Sequence, residues 1–412
     1  MHTRINRCLT ALLLLVCSNM WLAAKSVNPS IDTSNLPPRP SKAAVFFYRA
    51  SEWIDNFIMK DLDTAYIGLP EHSWRLAFTT GMVGVNSRFT AEDAFWNNIP
   101  IGNVSLLQRT TPSFNLGLYA GFRGFGFGYS WDALHAYSQN MNFSLGGKWI
   151  GIEFMRQTSS NIHSVVSTST GSVDLGNVMH NTITNTTVSV WYALNSAHYS
   201  HNAAIKQSYI QKKTAGSLLL QVAYMSTDIK LDTLFSLFMG NISEIETHQI
   251  GVGLGYGINY TPNKGKVLLH LAAMAQLICF SHNLVGELPV DSAYDFMPMR
   301  LYRVQSRYPV HVTGTVRAAV SWEINKWVHL NAWAQGKNIR FMAKADNAGI
   351  KLSNWDWTVN LSIGVRLGAG YERRKKVLDA DPLSNQTFET KIVRSGKPLP
   401  RWITDFFYSP MR

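Results

Sequence analysis

Strict alternation near the C-terminal end constrains the fold of this chain more than any other feature. From Trp355 to Leu367 every second residue is apolar, and the residues between them, through Gly368, are polar, charged or glycine. A period of two places these sets on opposite faces of an extended strand, whereas a helix would mix them. A strand that crosses a membrane must alternate in this way over about ten residues, with one face toward lipid and the other toward the lumen.

The same alternation recurs upstream. Residues 310–322 and 250–260 each place mostly apolar side chains on one face. A turn at 261–265 separates the second run from a further alternating run that begins at Val267, which predicts a hairpin. Residues 123–124 predict a tighter hairpin earlier in the chain. Together these runs predict an all-β fold, an antiparallel transmembrane β-barrel of about 12 strands, within a range of about 10 to 14.

One polar stretch, from Gln157 to Asn185, does not fit a simple up-and-down order. With both chain termini in the periplasm it would lie on the periplasmic side, where outer-membrane barrels have short turns. Either it contains an additional hairpin, which would raise the count to about fourteen strands, or an upstream strand is misassigned.

The aromatic residues favour a membrane barrel over a soluble one. Many of the 13 Trp and 16 Tyr residues stand near the ends of the alternating runs, for example Trp322, Trp355 and Tyr260. Such rings prefer the headgroup level of a bilayer, so aromatic girdles are expected there. A soluble sandwich or lipocalin-like barrel also alternates, but it keeps its apolar face inside and needs fewer strands of this length.

The N-terminal end predicts export. Arg4 and Arg7 precede a short apolar core at 9–16, and residues 22–24 suit cleavage by a signal peptidase. The apolar run is too short to anchor the chain as a membrane-spanning helix. The predicted organisation is a signal peptide at 1–24, a linker with a short N-terminal amphipathic helix at 25–72, the barrel at 73–372 and a C-terminal tail at 373–412, in the cell outer membrane.

The charge balance bears on partners. The chain carries 38 Lys and Arg against 26 Asp and Glu, a formal net charge of +12. An exported chain rarely meets nucleic acid, and no compact basic stripe with interleaved aromatic residues is present, so no nucleic-acid partner is expected. Outer-membrane lipids, including anionic lipopolysaccharide, or an anion-lined lumen explain the excess better. We also expect the barrel-assembly machinery to act during biogenesis, and the C-terminal tail to offer a surface to a periplasmic partner.

Polar positions that alternate with the apolar ones supply the candidate functional residues, because they are expected to face the lumen. These lumen-facing candidates are Lys230, Asp232, His270, His311, Arg317, Glu323, Asp356 and Arg366. Rings of charge in a pore select ions or solutes, and the basic members would favour anions. The alternative is that these groups pair with one another across a narrow lumen, since only larger barrels leave a wide aqueous channel.

Catalytic and metal chemistry find weaker support. His198, Ser200 and His201 lie close together in sequence, as a base and a nucleophile would, but no nucleophile-elbow pattern and no orienting acid accompany them. Two histidines alone are too few for a metal site, and Asp61 with Asp63 offers too few oxygens for calcium. The sequence therefore predicts no catalytic residue, no cofactor and no metal, in a protein that is not an enzyme.

Four segments resemble those of a known family. The run at 200–217, together with 63–67, 121–129 and 251–257, is similar to segments of domain-of-unknown-function family 4421 of Bacteroidota. The resemblance covers about residues 61–373. It implies an outer-membrane β-barrel from a gut-type anaerobe, and it carries no established activity or site residue over to this chain.

Several functions remain open at this point. The preferred ones are a pore or transport-related barrel for small solutes and a structural barrel. The alternatives are a lipid-modifying outer-membrane enzyme and a scaffold that binds a periplasmic or surface partner.

Overall fold

The computed structural model describes Arg49, Asp55 and residues 62–368, apart from 97–98, 112, 136, 148, 161, 178–180, 233–241, 263–264, 288–299, 307–309 and 346–347. The predicted signal peptide and C-terminal tail, and all but two residues of the predicted amphipathic helix, therefore lie outside the described residues. No helix in the described part of the chain is long and apolar enough to cross a membrane.

The described chain is almost entirely extended. Its strands are β1 Ile67–Gly68, β2 Trp74–Trp96, β3 Ile99–Thr110, β4 Ser113–Phe122, β5 Phe125–Asp132, β6 Ser138–Gly146, β7 Ile150–Ser159, β8 Ile162–Thr168, β9 Gly171–Gly176, β10 Thr182–Ala193, β11 Ile210–Gln211, β12 Ala215–Lys230, β13 Ile242–Tyr260, β14 Val267–Glu287, β15 Arg300–Ser306, β16 His311–Glu323, β17 Val328–Ala345 and β18 Ala348–Leu367. A short helix, α1 His201–Ile205, lies between β10 and β11.

Twelve of these strands close into one antiparallel ring within the described residues. In ring order they are β2, β4, β5, β6, β7, β10, β12, β13, β14, β16, β17 and β18. Pairing of β18 with β2 closes the ring, from Trp74 opposite Leu367 to Glu92 opposite Gly349. The predicted all-β barrel of about 12 strands is thus confirmed. We call the end at which β2 begins and β18 ends the near end, and the opposite end the far end.

An apolar belt surrounds the outside of the ring. On β13 the outward side chains from Ile250 to Tyr260 are all apolar or aromatic, and Leu254 is 57% exposed. On β18 the outward residues through Val365 continue the belt, and Val359 is 49% exposed. Apolar side chains that stand outside while polar ones line the interior are the arrangement of a barrel in lipid.

Part of the way along the longest strands, the apolar side chains change from the outward face to the inward face, an exchange of faces. On β2, Phe78 and Met82 face outward in the belt, whereas Val85 and Phe89 face inward and are buried. Side chains alternate with a period of two, so moving the apolar residues from even to odd positions moves them to the other face. Arg88 then stands on the outward face, exposed. The belt therefore ends where this exchange occurs, and the strands continue beyond it toward the far end.

Further strands extend the far end outside the ring. β3 pairs with the far half of β2 and with β8, and β8 pairs with β9. The polar stretch at 157–185 thus does contain an additional hairpin, β8–β9, but this hairpin does not enter the ring. The stretch lies at the far end, opposite the near end at which the ring begins and finishes, and not where a simple up-and-down count requires it.

Both predicted hairpins form at the near end. β4 and β5 are joined at 123–124, and β13 and β14 are joined at 261–266. Arg123 has a φ of 51°, a left-handed conformation that costs an L-residue about 1 kcal/mol or more. Its buried guanidinium donates to the Pro70 carbonyl over 2.7 Å and pairs with Asp55. These contacts offset the strain and tie the segment before β2 to the barrel.

Candidate functional site: the filled lumen

The lumen at the near end is occupied by the long connection between β10 and β12. We call residues 194–214, which include α1 and β11, the lumen loop. Every side chain from Tyr199 to Tyr209 is less than a tenth exposed, Ala204 and Tyr199 completely buried. Ala203 and Ala204 make α1 thin enough to pack against Ala319 and Leu268 of the wall, with Ile205 and Tyr209 in the same apolar cluster.

Wall side chains satisfy the backbone of the lumen loop. The Asn259 amide donates to the Ser200 carbonyl over 2.8 Å, and the Asn331 amide donates to the Ile205 carbonyl over 3.1 Å. Gln207, which has a φ of 49°, hydrogen-bonds to the Ser321 hydroxyl through its side-chain amide. Irregular backbone at membrane depth is stable only where the protein itself supplies such partners.

A buried carboxylate fixes the lumen loop electrostatically. Glu153, on β7, lies 3.2 Å from the Lys206 ammonium and 2.6 Å from the Arg317 guanidinium. Lys206 belongs to the lumen loop and Arg317 to β16, so one carboxylate links the loop to two walls of the ring. All three side chains are a tenth exposed or less. A buried charge of this kind is strongly destabilising if its partner is removed.

Two buried histidines adjoin these charges. His201 contacts the Tyr199 hydroxyl through Nδ1 and the Arg317 guanidinium through Nε2, each over 3.3 Å. His270 contacts the Asn259 side-chain oxygen over 2.8 Å, and the two imidazole rings lie 5.1 Å apart edge to face. Each ring is therefore oriented by a separate partner and contributes to packing around the lumen loop.

The other lumen-facing candidates divide into two groups. Arg366 forms a bidentate ion pair with Glu323 at the near end. Asp356 stands directly opposite Lys337 on the paired strand and therefore shares its face. His311 faces inward and lies 3.5 Å from the Gln249 amide. With Arg317 and His270, these residues do line the interior, and the Arg317–Glu153 pair crosses the lumen, as in the alternative to a charged pore.

Lys230 does not face the lumen, and Asp232 is not on a strand of the ring. Lys230 shares the outward face of Val222 and Tyr224, and its side chain is 60% exposed. Asp232 lies beyond the end of β12, where its backbone N–H donates to the Asn181 side chain over 2.7 Å. The prediction for Lys230 is wrong because Ile229, next to it, faces the interior and not the lipid. The exchange of faces described for β2 also occurs on this strand.

Hydrogen bonds cross the lumen in its middle layer. The Asn354 amide of β18 donates to Asn185 of β10 over 3.1 Å, and the Lys337 ammonium of β17 donates to Thr187 of β10 over 2.5 Å. These strands stand on opposite sides of the ring. Side chains that touch across the ring obstruct the lumen at this level.

The far end of the lumen is filled by an apolar cluster that we call the far-end core. It consists of Val85, Phe89, Ala91, Val104, Leu106, Ile162, Ile183, Ile229, Leu231, Ile245, Val285 and Leu352. Its members come from β2 and β18 on one side of the ring and from β12 and β13 on the other, so the cluster spans the lumen. Phe89 is 2% exposed and Val85 is completely buried.

A cavity lies beside the lumen loop. Its volume is about 50 Å³, and its lining includes Arg75, Tyr119, Gln207, His329 and Asn360. A water molecule needs roughly 10–15 Å³ of such volume, so the cavity has room for a few waters.

The sequence did not identify the residues that bind the lumen loop. Glu153 and Lys206 were not among the candidates, although the run at 200–217 stood out as distinctive. His198 contacts the Asn195 side chain and, at 3.4 Å, the Asp63 carboxylate, whereas His201 contacts Tyr199 and Arg317. Among the described residues, neither imidazole hydrogen-bonds to the Ser200 hydroxyl. The length of the lumen loop is a feature of the sequence that could have pointed to it, because the loop joins two strands at an end of the barrel where turns should be short.

Outside the ring, three carboxylates gather beyond the belt. Asp228, Glu244 and Glu246 each place an oxygen within 4.8 Å of the others. They share the outward face with Lys230, whose ammonium lies 3.1 Å from Glu244. This acidic wall lies on β12 and β13.

Similar proteins were found by fold. The chain covers 98% of the outer-membrane protease OmpT from Escherichia coli, with 72% of this chain aligned, 8% identity and a TM-score of 0.34. The outer membrane protein OprG from Pseudomonas aeruginosa aligns over 73% of this chain and 98% of its own, with 10% identity and a TM-score of 0.29. The Pseudomonas putida toluene transporter TodX aligns over 80% and 94%, with 8% identity and a TM-score of 0.25. No curated protein matches the chain.

A twelve-stranded antiparallel ring with an apolar outer belt and a polar interior at the level of that belt defines an outer-membrane type of β-barrel. Within this class the family can be stated. The model of the family described as Domain of unknown function (DUF4421) matches residues 61–378, and the chain belongs to that family.

Proposed function

We propose that this protein is an outer-membrane barrel with a closed lumen, which serves as a membrane-anchored scaffold and not as an open pore. The observation that carries the proposal is that side chains contact one another across the ring in three successive layers. These are the far-end core, the Asn354–Asn185 contact in the middle and the lumen loop around Glu153 at the near end. A solute would have to displace all three layers.

The apolar belt and the predicted signal peptide support residence in the outer membrane. Outer-membrane barrels place both termini and their short turns in the periplasm. The near end, with its tight hairpins at 123–124 and 261–266, then faces the periplasm, and the far-end strands extend beyond the outer leaflet. Those extended strands supply the surface that a scaffold would present outside the cell.

Conductance in planar lipid bilayers tests the closed lumen. The full-length barrel, purified and inserted beside an open porin as a positive control for fusion, should give no steady current steps. A second protein, with residues 199–209 replaced by a short Gly/Ser linker, should also stay silent, because the far-end core and the middle layer remain. Steady ohmic steps from the unaltered protein would refute the proposal.

Regulated solute passage is the second candidate, and the cavity beside the lumen loop favours it. The cavity is polar and lies against Gln207, so movement of the loop would enlarge it. If the linker variant conducts while the unaltered protein does not, the lumen loop is a gate and this second function replaces the scaffold.

Two other expectations remain proposals. A periplasmic partner of the C-terminal tail predicts that a pull-down with the full chain captures a protein that is lost when residues 377–412 are deleted. Absence of enzymatic activity predicts an unchanged lipid profile in cells that overproduce the protein, and new or altered lipid species would overturn it.

A further inference from the structure

Three outward arginines stand just beyond the apolar belt on neighbouring strands. Arg340 of β17 and Arg88 of β2 both lie opposite Ser353 of β18, one on each side of it. Arg109 of β3 lies opposite Asn86, one outward position from Arg88. With strands about 4.8 Å apart, Arg340 and Arg88 are about 10 Å apart, and Arg109 is a diagonal neighbour of Arg88. We call these three residues the arginine row.

The arginine row lies at the level of lipid headgroups. Trp355 of β18 lies directly opposite Asn86 of β2, one outward position closer to the near end than Arg88. Its side chain is 42% exposed on the outward face. Tryptophan at the edge of an apolar belt marks the boundary between hydrocarbon and headgroups. Below Trp355 the outward face of β18 is apolar, with Val359 and Leu361 about half exposed.

Nothing in the described part of the chain neutralises these three charges. All three side chains are exposed, and none has a hydrogen bond or ion pair among the described residues. Of the nearby carboxylates on this face, Glu92 is ion-paired with Lys351, and Asp174 contacts the His163 imidazole at 3.1 Å. The outer face of β17, β2 and β3 therefore presents unpaired guanidinium groups toward the headgroup layer. The acidic wall lies elsewhere, on β12 and β13.

We propose that the arginine row binds the phosphate groups of lipopolysaccharide in the outer leaflet. A guanidinium offers two parallel N–H donors that match a phosphate, and such charge-assisted bonds are stronger than neutral ones. Several arginines within reach of one headgroup give the site its selectivity for a phosphorylated lipid. The inference rests on the proposed orientation, in which the far end lies outside the cell.

Binding to the unaltered full-length barrel tests the ligand. The protein, refolded in detergent without lipopolysaccharide, is titrated with phosphorylated lipid A, with dephosphorylated lipid A, with phosphatidylglycerol vesicles and with inorganic phosphate. Phosphorylated lipid A should bind at least about tenfold more tightly than each of the other three. Equal binding of dephosphorylated lipid A or of phosphatidylglycerol would overturn the proposal.

Variants test the residues. Arg88→Gln/Arg109→Gln/Arg340→Gln should weaken binding of phosphorylated lipid A at least about tenfold, and the matched triple lysine variant should recover part of it. Arg156→Gln is the control, because Arg156 is an exposed outward arginine of β7 on a different wall and should leave affinity within about twofold. Unchanged affinity of the triple glutamine variant would overturn the assignment. Heat-dependent mobility on gels checks folding, and the ligand comparison decides the question if that variant does not fold.

These outcomes separate the inference from the proposed function. A silent barrel that shows no preference for phosphorylated lipid A keeps its closed lumen and loses the lipid site. A conducting barrel that prefers phosphorylated lipid A keeps the lipid site and loses the closed lumen.

Discussion

The two ends of the lumen are closed by opposite chemistry. At the far end, Val85, Phe89 and Leu352 belong to one buried apolar cluster, whereas at the near end Glu153 and Lys206 meet in a charged cluster. Packing of apolar side chains is non-directional and tolerates small shifts, but a buried ion pair is stable only while each partner is present. The far end is therefore closed by apolar packing, and the near end is closed by a loop that depends on one buried ion-pair cluster.

The location of each chemistry follows from the surroundings of the strands. Within the belt the outside faces lipid, so the interior can be polar and can accept the backbone of the lumen loop. Beyond the belt the outside is polar, and the strands are then stabilised by an apolar interior, as in a soluble barrel. β2 passes from the first regime to the second between Met82 and Phe89.

The largest expected effect comes from removing the carboxylate that fastens the near end. Glu153→Gln leaves Lys206 and Arg317 buried without a counter-charge, and breaking such a pair costs about 3–5 kcal/mol. The measurement is the free energy of unfolding in urea, in detergent micelles. Glu92→Gln is the control, since the Glu92–Lys351 pair is partly exposed and should contribute less than about 1 kcal/mol. Equal losses in both variants would contradict the distinction between the buried charge cluster around Glu153 and the partly exposed Glu92–Lys351 pair.

A truncation in the far-end core should rank next. Phe89→Ala removes a ring that is 2% exposed, and we expect a loss of about 3 kcal/mol from lost burial and the cavity that remains. Arg88→Gln, one residue away on the outward face, should change the free energy of unfolding by less than about 0.5 kcal/mol. A small effect of Phe89→Ala would mean that the far end is not a packed core.

Loss of one wall side chain that hydrogen-bonds to the lumen loop should loosen the loop without unfolding the ring. Asn259→Ala removes donors to the Ser200 carbonyl and to Gln211 and the partner of His270, a loss of about 2 kcal/mol. Hydrogen exchange at 199–209 should accelerate, while exchange in the far halves of β2 and β12 stays slow. Acceleration of equal size in both regions would show that the two ends open together and are not stabilised independently.

The sequence predicts the ring far better than the lumen. Alternation from Trp355 to Leu367 and the turn at 261–265 specify strands and a hairpin, because lipid on one side fixes a period of two. The same pattern cannot tell that Ile229 faces inward, since an apolar residue beyond the belt follows the opposite rule. Nor can it place Glu153 beside Lys206, because that contact depends on a loop that folds back into the ring.

Lys230 gives the smallest energetic effect and the sharpest test of the exchange of faces. Its side chain is 60% exposed, so solvent screens its ion pair with Glu244, and Lys230→Gln should change the free energy of unfolding by less than about 0.5 kcal/mol. In a Cys279→Ser background, which removes the exposed free cysteine, a cysteine replacing Lys230 should react with a membrane-impermeant maleimide on intact cells. A cysteine replacing the buried His270 should not react. The reverse labelling pattern would show that Lys230 faces the lumen and that β12 has no exchange of faces.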